Sequence, residues 1–478
     1  MMFEGEAEAW LGIDLGTQSV RALLVTAEGT VLGSGSAPLT GRREGVRHEQ
    51  DPGEWWEAVC TASRAALSSP AARGPIGGLA VCGTSGTVLL TDARGRPRTP
   101  GLMYDDGRAV EEAARLGMQT SWALPKALWL LDAYGPGRVT HQPDVITAQL
   151  TGAAIPTDSS HALKTGYDAE HEAWPPQLAH LAERLPEVVR PGTRLGEVCR
   201  TAAEATGIPA GTPVIAGMTD GCAAQIASGA LRPGAWNSVL GTTLVLKGAS
   251  PAPVRDDAGV VYNHPAPDGS WLPGGASSVG AGALPPGLDP AAMDTRAAAC
   301  EPSGALTYPL ASPGERFPFL APEATAFTLG TPASEADGWA AVLQGVAFTE
   351  RLCLDYLDHL GAPIDGPLAF TGGAARSAYW NQLRADILGR PARVPEQIEP
   401  ALGMAVLAAY GTGAGGELAE VADGMVRIRT VLEPRASRTA RFTGPYARLV
   451  DELETRGWLP SPVATHARTR LNQDTNAS

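Results

Sequence analysis

The chain has 478 residues, 44% of them hydrophobic and 18% charged, and a formal net charge of −14. That length exceeds what one compact core supports and suits two large domains, while the composition is that of a folded globular protein. The acidic balance, with no Lys/Arg-rich run, excludes nucleic acid as a partner, and the lack of any run of roughly eighteen apolar residues excludes a membrane span.

The segment from Met1 to Ala9 is acidic and lacks the basic and apolar regions of a signal peptide, so a cytoplasmic location is expected. Six cysteines lie far apart with no CxxC pair and read as buried thiols, Cys222 among them as a small apolar filler. Basic residues are mostly arginine. The lysines are Lys126, Lys164 and Lys247, retained where a guanidinium fork would not fit.

In chain order, Trp10 to Leu15 and Arg21 to Thr26 predict a strand hairpin that turns again at Glu28-Gly29. Asp51-Pro52 opens an amphipathic helix to about Leu67, with Asp as N-cap and Pro at the first helical position. Strands follow over Ile76 to Cys82 and Thr87 to Thr91, then a helix near Val110 to Leu116, the alternation of an α/β domain. Pro213 to Ala216 predicts a buried strand that runs into Gly217 to Ala224 and sets Asp220 at a strand-to-helix corner, a rigid seat with an open tip. A second lobe begins near Leu231 to Gly234, with a Pro/Gly-rich stretch from Pro265 to Pro290 and a long helix from about Asp337 to Leu360. The strand Leu368 to Phe370 enters the turn Thr371 to Ser377 and a helix from Ala378 to Leu388, which aims free helix amides at an anion or a flat ring. This turn is not the GxGxxG of dinucleotide folds. Beyond Pro460 the polar tail is expected to be disordered.

Two segments repeat one local design. Leu11-Gly12-Ile13-Asp14-Leu15-Gly16-Thr17 and Val239-Leu240-Gly241-Thr242-Thr243 each run an apolar strand into a Leu-Gly-Thr turn and on into a second strand. Glycine lets a ligand approach the backbone, and threonine adds a hydroxyl beside the turn amides. A lone Gly-Thr turn is more often an ordinary hairpin, but a duplicated one indicates two related lobes that grip a polyphosphate. Phosphoryl transfer then needs a metal and a base. Asp14, before Gly16 and Thr17, is placed to hold Mg²⁺ through waters, and Asp220 to accept the hydroxyl proton. For a polyol, Thr84 and Ser85 in Gly83-Thr84-Ser85-Gly86, and Asp105 and Asp106 beside Tyr104 and Arg108, supply polar groups. His161, Lys164 and Tyr167 either approach the same site or lie on the surface.

The ordered set Gly12 to Thr17, Leu124 to Leu130, Thr219-Asp220-Gly221, Leu240 to Thr243, Thr371-Gly372-Gly373-Ala374 and Glu399 to Ala405 resembles the FGGY carbohydrate kinases. The resemblance implies a two-lobed α/β fold of the actin/hexokinase type (ribonuclease H-like and duplicated) with an interlobe cleft. It implies a sugar-binding domain over 9–230, an ATP-binding domain over 231–445, and a terminal helix and tail over 446–478. It also implies ATP and Mg²⁺ as cofactors, with Asp14 and Asp220 facing the metal and the sugar and Asp220 as base. Gly16, Thr17, Gly241, Thr242 and Thr243 would meet phosphate, and Gly373, Ala374, Ser377 and Trp380 would border the adenosine. Ala374 stands where many members have a third glycine, and Ala123 where Ser, Thr or Pro is usual.

The chain lacks the Gln-Met-His-Gly and Trp-Asn-Asp segments usual in xylulose kinases. Ala162 to Asp168, Gly274 to Ser278, Tyr308-Pro309-Leu310 and Gly314 to Pro318 instead resemble a plant and cyanobacterial branch acting on D-ribulose. The expected substrate is therefore a free ketopentose, D-ribulose before D-xylulose, handled by a monomer or homodimer. Two other classes stay open on sequence: a non-catalytic sugar or nucleotide sensor, and a nucleotide-driven clamp of the actin type, which would turn over ATP without regard to sugar.

Overall fold

The computed structural model describes residues 8–477, which form two compact units. The first comprises residues 8–229 together with 264–269 and 397–427; the second comprises 230–263, 270–396 and 428–477. The segment 397–427, expected in the second domain, packs with the first unit.

The sheet of the first unit runs in the order Arg194–Glu197, Pro213–Ile215, Ile76–Gly83, Ala9–Leu15, Ser19–Thr26, Val31–Pro38. Ala9–Leu15 pairs antiparallel with Ser19–Thr26 and parallel with Ile76–Gly83, which in turn runs parallel to Pro213–Ile215. The two central strands, Ala9–Leu15 and Ile76–Gly83, carry near-continuous apolar runs because both their faces are covered. The helix Pro52–Leu67 begins where Asp51 accepts the Gly53 amide and Pro52 supplies a preset φ, as the sequence predicts. The helix Pro400–Gly411 is apolar all round and buried, and it lies directly on the first strand. Gly12 makes that approach possible, since a Cβ there would stand 1.7 Å from the Ala401 carbonyl oxygen.

Six strands wholly within the second unit repeat the arrangement: Trp271–Ser277, Leu244–Gly248, Trp236–Leu240, Leu368–Thr371, Ala392–Pro395, Ile428–Leu432. Their pairings run antiparallel, antiparallel, parallel, parallel, antiparallel, the sequence of directions found from Val31–Pro38 to Arg194–Glu197 in the first unit. The long helix Glu335–His359, capped by Ser334, packs in the core of this unit. The tail is a correction. Residues beyond 460 form the helix Ser461–Ala477, and Val463, Ala464, Ala467 and Leu471 are buried against the core, so a polar-looking segment hides an apolar stripe at helical spacing.

Candidate active site

The first strand carries Asp14 as its penultimate residue, only 7% exposed, and the neighbour of Asp14 in register on the next parallel strand is Cys82. The Cys82 thiol donates to Asp14 Oδ1 at 3.4 Å. Burial, and then the negative charge of Asp220, raise the Asp14 carboxyl to about 6. Arg21 opposes that shift weakly, being itself engaged with Glu399 at 3.8 Å. Asp220 opens the helix Asp220–Ala227, half-buried, with the Gly221 amide donating to its Oδ1 at 2.7 Å. Thr219, just before it, bridges to Gly83 at the end of the neighbouring strand. The first unit therefore brings Asp14, Asp220 and the Gly83–Ser85 turn to one edge of a single sheet, where strand ends leave polar groups open.

The Gly16 amide donates to the Ser19 carbonyl at 3.2 Å, and the Gly241 amide to the Thr243 carbonyl at 3.0 Å, so both Gly-Thr segments are tight turns. Thr17 and Thr243 are half-buried and Thr242 is exposed. Gly372 follows the strand Leu368–Thr371 with φ +83°, and its Cβ position lies 2.6 Å from the Leu240 carbonyl, so it seats the Gly373–Arg376 turn against the Gly241 turn. Gly373 is exposed with open space around it, and Ala374 is half-buried.

Several polar groups read as ligand contacts prove to be engaged within the protein. Thr84 Oγ1 and the Thr84 amide both donate to Gln142 Oε1 at 2.8 Å, leaving Thr84 buried and turned inward. Asp106 is fully buried, accepting from the His48 amide and from the Arg108 guanidinium, which also reaches Glu49. It holds its loop. Asp105, more open, takes His48 Nδ1 and Arg43 at 2.5 Å each; burial pushes its carboxyl up, but these bonds outweigh burial and leave it below its ordinary value. The Trp380 ring lies in the core and its indole N–H donates to the Leu343 carbonyl at 3.2 Å. Ser377 caps the helix Ala378–Leu388 through the Trp380 amide and donates to Asp294 Oδ2 at 2.6 Å.

His161 lies neither at an open site nor on the surface. It is fully buried, with Nδ1 2.6 Å from Asp158 Oδ2. Lys164 Nζ donates to the Ser85 carbonyl at 3.2 Å. Lys126 Nζ donates to the carbonyls of Tyr104 and Thr120; burial, then the nearby charge of Lys164, lowers it to about 7. Sequence reasoning missed Gln142 and the pair Asp158 and Ser160 beside His161. The second carries a readable signal, an Asp that caps the next helical turn through the amides of Ser160 and His161.

Among the described residues no group of three or more His, Cys, Asp or Glu is placed to hold a metal, and no helix is long and apolar enough to cross a membrane. The two carboxylates that remain, Asp14 and Asp220, repel each other at neutral pH. A divalent cation bound mainly through water and phosphate suits such a pair.

Comparison with known proteins gives this geometry its family. The N-terminal domain of the FGGY family of carbohydrate kinases matches residues 9–126, and the C-terminal domain of the same family matches residues 236–412. The chain belongs to the FGGY carbohydrate kinases. It is 33% identical over 460 residues to a xylulose kinase of Streptomyces coelicolor, covering 88% of this chain and 91% of that one. Among solved structures, a xylulose kinase of Rhodospirillum rubrum superposes with a TM-score of 0.82 at 26% identity, covering 94% of this chain and 98% of the other. A "xyloylose kinase" of Brucella ovis superposes with a TM-score of 0.85 at 25% identity, covering 94% and 99%.

Proposed function

We propose that the protein transfers the γ-phosphoryl group of ATP to the terminal hydroxyl of a free pentulose. The names of its relatives favour D-xylulose, and D-ribulose, expected from sequence, is the second reading. One observation carries the proposal: Asp220 stands half-exposed at a corner fixed by the Thr219–Gly83 bridge, on the edge that also carries Asp14. A carboxylate so held accepts the proton of an attacking hydroxyl without reorganising. The half-exposed Tyr104, whose hydroxyl is raised by burial and by the charges of Asp105 and Asp220, lines the approach for the sugar. The turns at Gly16-Thr17 and Gly241 to Thr243, with the exposed Gly373, are the candidate nucleotide contacts. Mg²⁺, held by Asp14 with Asp220 nearby, would screen the charge on the transferring phosphoryl group.

The ribulose reading rested partly on segments that hold one another together. Glu315 accepts from the Ser277 hydroxyl, the Ser278 amide and the Tyr308 hydroxyl at 3.0, 2.7 and 2.6 Å, so these residues serve packing in the second unit. ADP release with Mg-ATP, compared for D-xylulose and D-ribulose across concentration, tests the proposal. A higher kcat/KM for D-xylulose is expected, and Asp220→Asn is expected to lower kcat by roughly 1000-fold or more. Undiminished turnover in Asp220→Asn removes the base; a preference for D-ribulose restores the second reading; turnover of neither sugar removes the pentulose.

A further inference from the structure

Behind the candidate site lies a cluster to which the reaction as written assigns nothing. Asp158, Ser160 and His161 are each at most 4% exposed. Asp158 Oδ1 accepts from the Ser160 amide, the Ser160 hydroxyl and the His161 amide at 2.9, 2.6 and 3.1 Å, and Oδ2 faces His161 Nδ1 at 2.6 Å. The cluster then reaches out in two directions. Ser160 Oγ accepts from the Thr219 amide at 2.9 Å, one residue before Asp220. His161 Nε2 faces the Gly83 carbonyl at 3.3 Å, one residue before Thr84.

Hydrogen-bond valence fixes the charges. A carboxylate and a carbonyl oxygen only accept, and a neutral imidazole carries one N–H, so a ring that serves both carries two protons. Burial pushes His161 down, but Asp158, with Asp144 farther off, outweighs it and the ring is raised above its ordinary value. The groups facing the ring are Asp158 on its own turn, Asp144 on the helix Gln142–Thr151, and the His141 ring at 5.9 Å. The Asp158 charge in turn directs the Ser160 hydroxyl hydrogen toward itself, which leaves a lone pair for the Thr219 amide.

Resting on the phosphotransfer reading above, we infer that Asp158, Ser160 and His161 are positioning residues: an imidazolium–carboxylate pair that holds the Asp220 corner and the Gly83–Ser85 turn in one register. Base and sugar turn are thereby set from a single buried anchor rather than from two independent loops. Misplacement of about 1 Å at such a corner is enough to lower turnover roughly 100-fold.

The test compares Ser160→Ala and His161→Gln with Ser159→Ala, whose hydroxyl is buried on the same turn without a protein partner. On whichever pentulose the wild type turns over, Ser160→Ala is expected to lower kcat about tenfold or more, with the KM for ATP within about twofold, while Ser159→Ala leaves both unchanged. Hydrogen exchange at the Thr219 amide should accelerate in Ser160→Ala, and the ¹⁵N signals of His161 should report a doubly protonated ring at pH 7.5. Unchanged kcat in Ser160→Ala, unchanged Thr219 exchange, or a neutral His161 overturns the inference. If the wild type phosphorylates no sugar, the proposed function falls, while exchange and ¹⁵N signals still decide whether this anchor exists.

Discussion

The two sheets share the directions of their strand pairings and differ in the chain order of the last two strands, and corresponding positions carry different chemistry. Where the first has Asp14 beside Cys82, the second has Val239 beside Thr371. Where the first has Gly12 beneath a helix, the second has Asn237, whose Oδ1 accepts the Thr371 hydroxyl at 2.8 Å. Both keep the Leu-Gly-Thr turn. Topology therefore supplies the turn twice, whereas the acid comes from one side chain near the end of one strand. The carboxylates Asp14 and Asp220 belong to the first unit, and the Gly-rich turn to the second.

The comparison breaks most visibly at Gly12. A methyl group there meets the backbone of the helix Pro400–Gly411, which cannot yield as a side-chain tip would. Gly12→Ala is expected to cost about 3 kcal/mol or more, whereas Asn237→Ala in the second sheet, which removes the acceptor of the Thr371 hydroxyl, costs about 1–2 kcal/mol. Chemical denaturation of both variants ranks them, and equal losses would mean that the helix shifts freely.

Asp14 sharpens the comparison in the opposite direction. Its carboxyl is raised from 3.8 to about 6, so the folded protein takes up that proton more readily than the unfolded chain, and ionised Asp14 destabilises the fold above pH 6. Asp14→Asn should therefore gain about 2–3 kcal/mol at pH 8, lose that gain as the pH falls toward 4, and abolish turnover. Denaturation curves at the two pH values check the sign; a variant no more stable than wild type at pH 8 would refute the account.

The smallest effect is expected at the helix after the Gly-rich turn. Ser377→Ala should cost about 1 kcal/mol through the lost cap. Trp380→Phe should leave the KM for ATP within about twofold, since only a core hydrogen bond to Leu343 is removed. A tenfold rise in that KM would return the indole to the nucleotide.

Much of this architecture could be read directly. The Asp51-Pro52 start, the Asp220 corner and the helix Ala378–Leu388 carry local signals (a cap, a fixed φ, a glycine turn) that act within a few residues and survive folding. What escaped depended on distant partners. Asp106 looks like a solvated sugar ligand until Arg108, Glu49 and the His48 amide close around it. Trp380 and the stripe Val463, Ala464, Ala467 become core only because the long helix Glu335–His359 lies beside them. His161 was visible as a residue, but its two acceptors, Asp158 and Gly83, are separated by 75 positions, and no local pattern joins them.

The return of residues 397–427 to the first unit has a consequence for biosynthesis. A ribosome finishes the opening 229 residues and must then translate the intervening stretch before the helix that covers Gly12 emerges. At about 5–20 residues per second, that delay is on the order of 10–30 seconds, during which the first sheet has one bare face. Nascent chains stalled at Glu396 should therefore remain protease-sensitive across their first 229 residues, and become resistant once synthesis passes Arg427. The domain that is begun first is completed late, and a holdase that shields apolar surface would find its substrate in that interval.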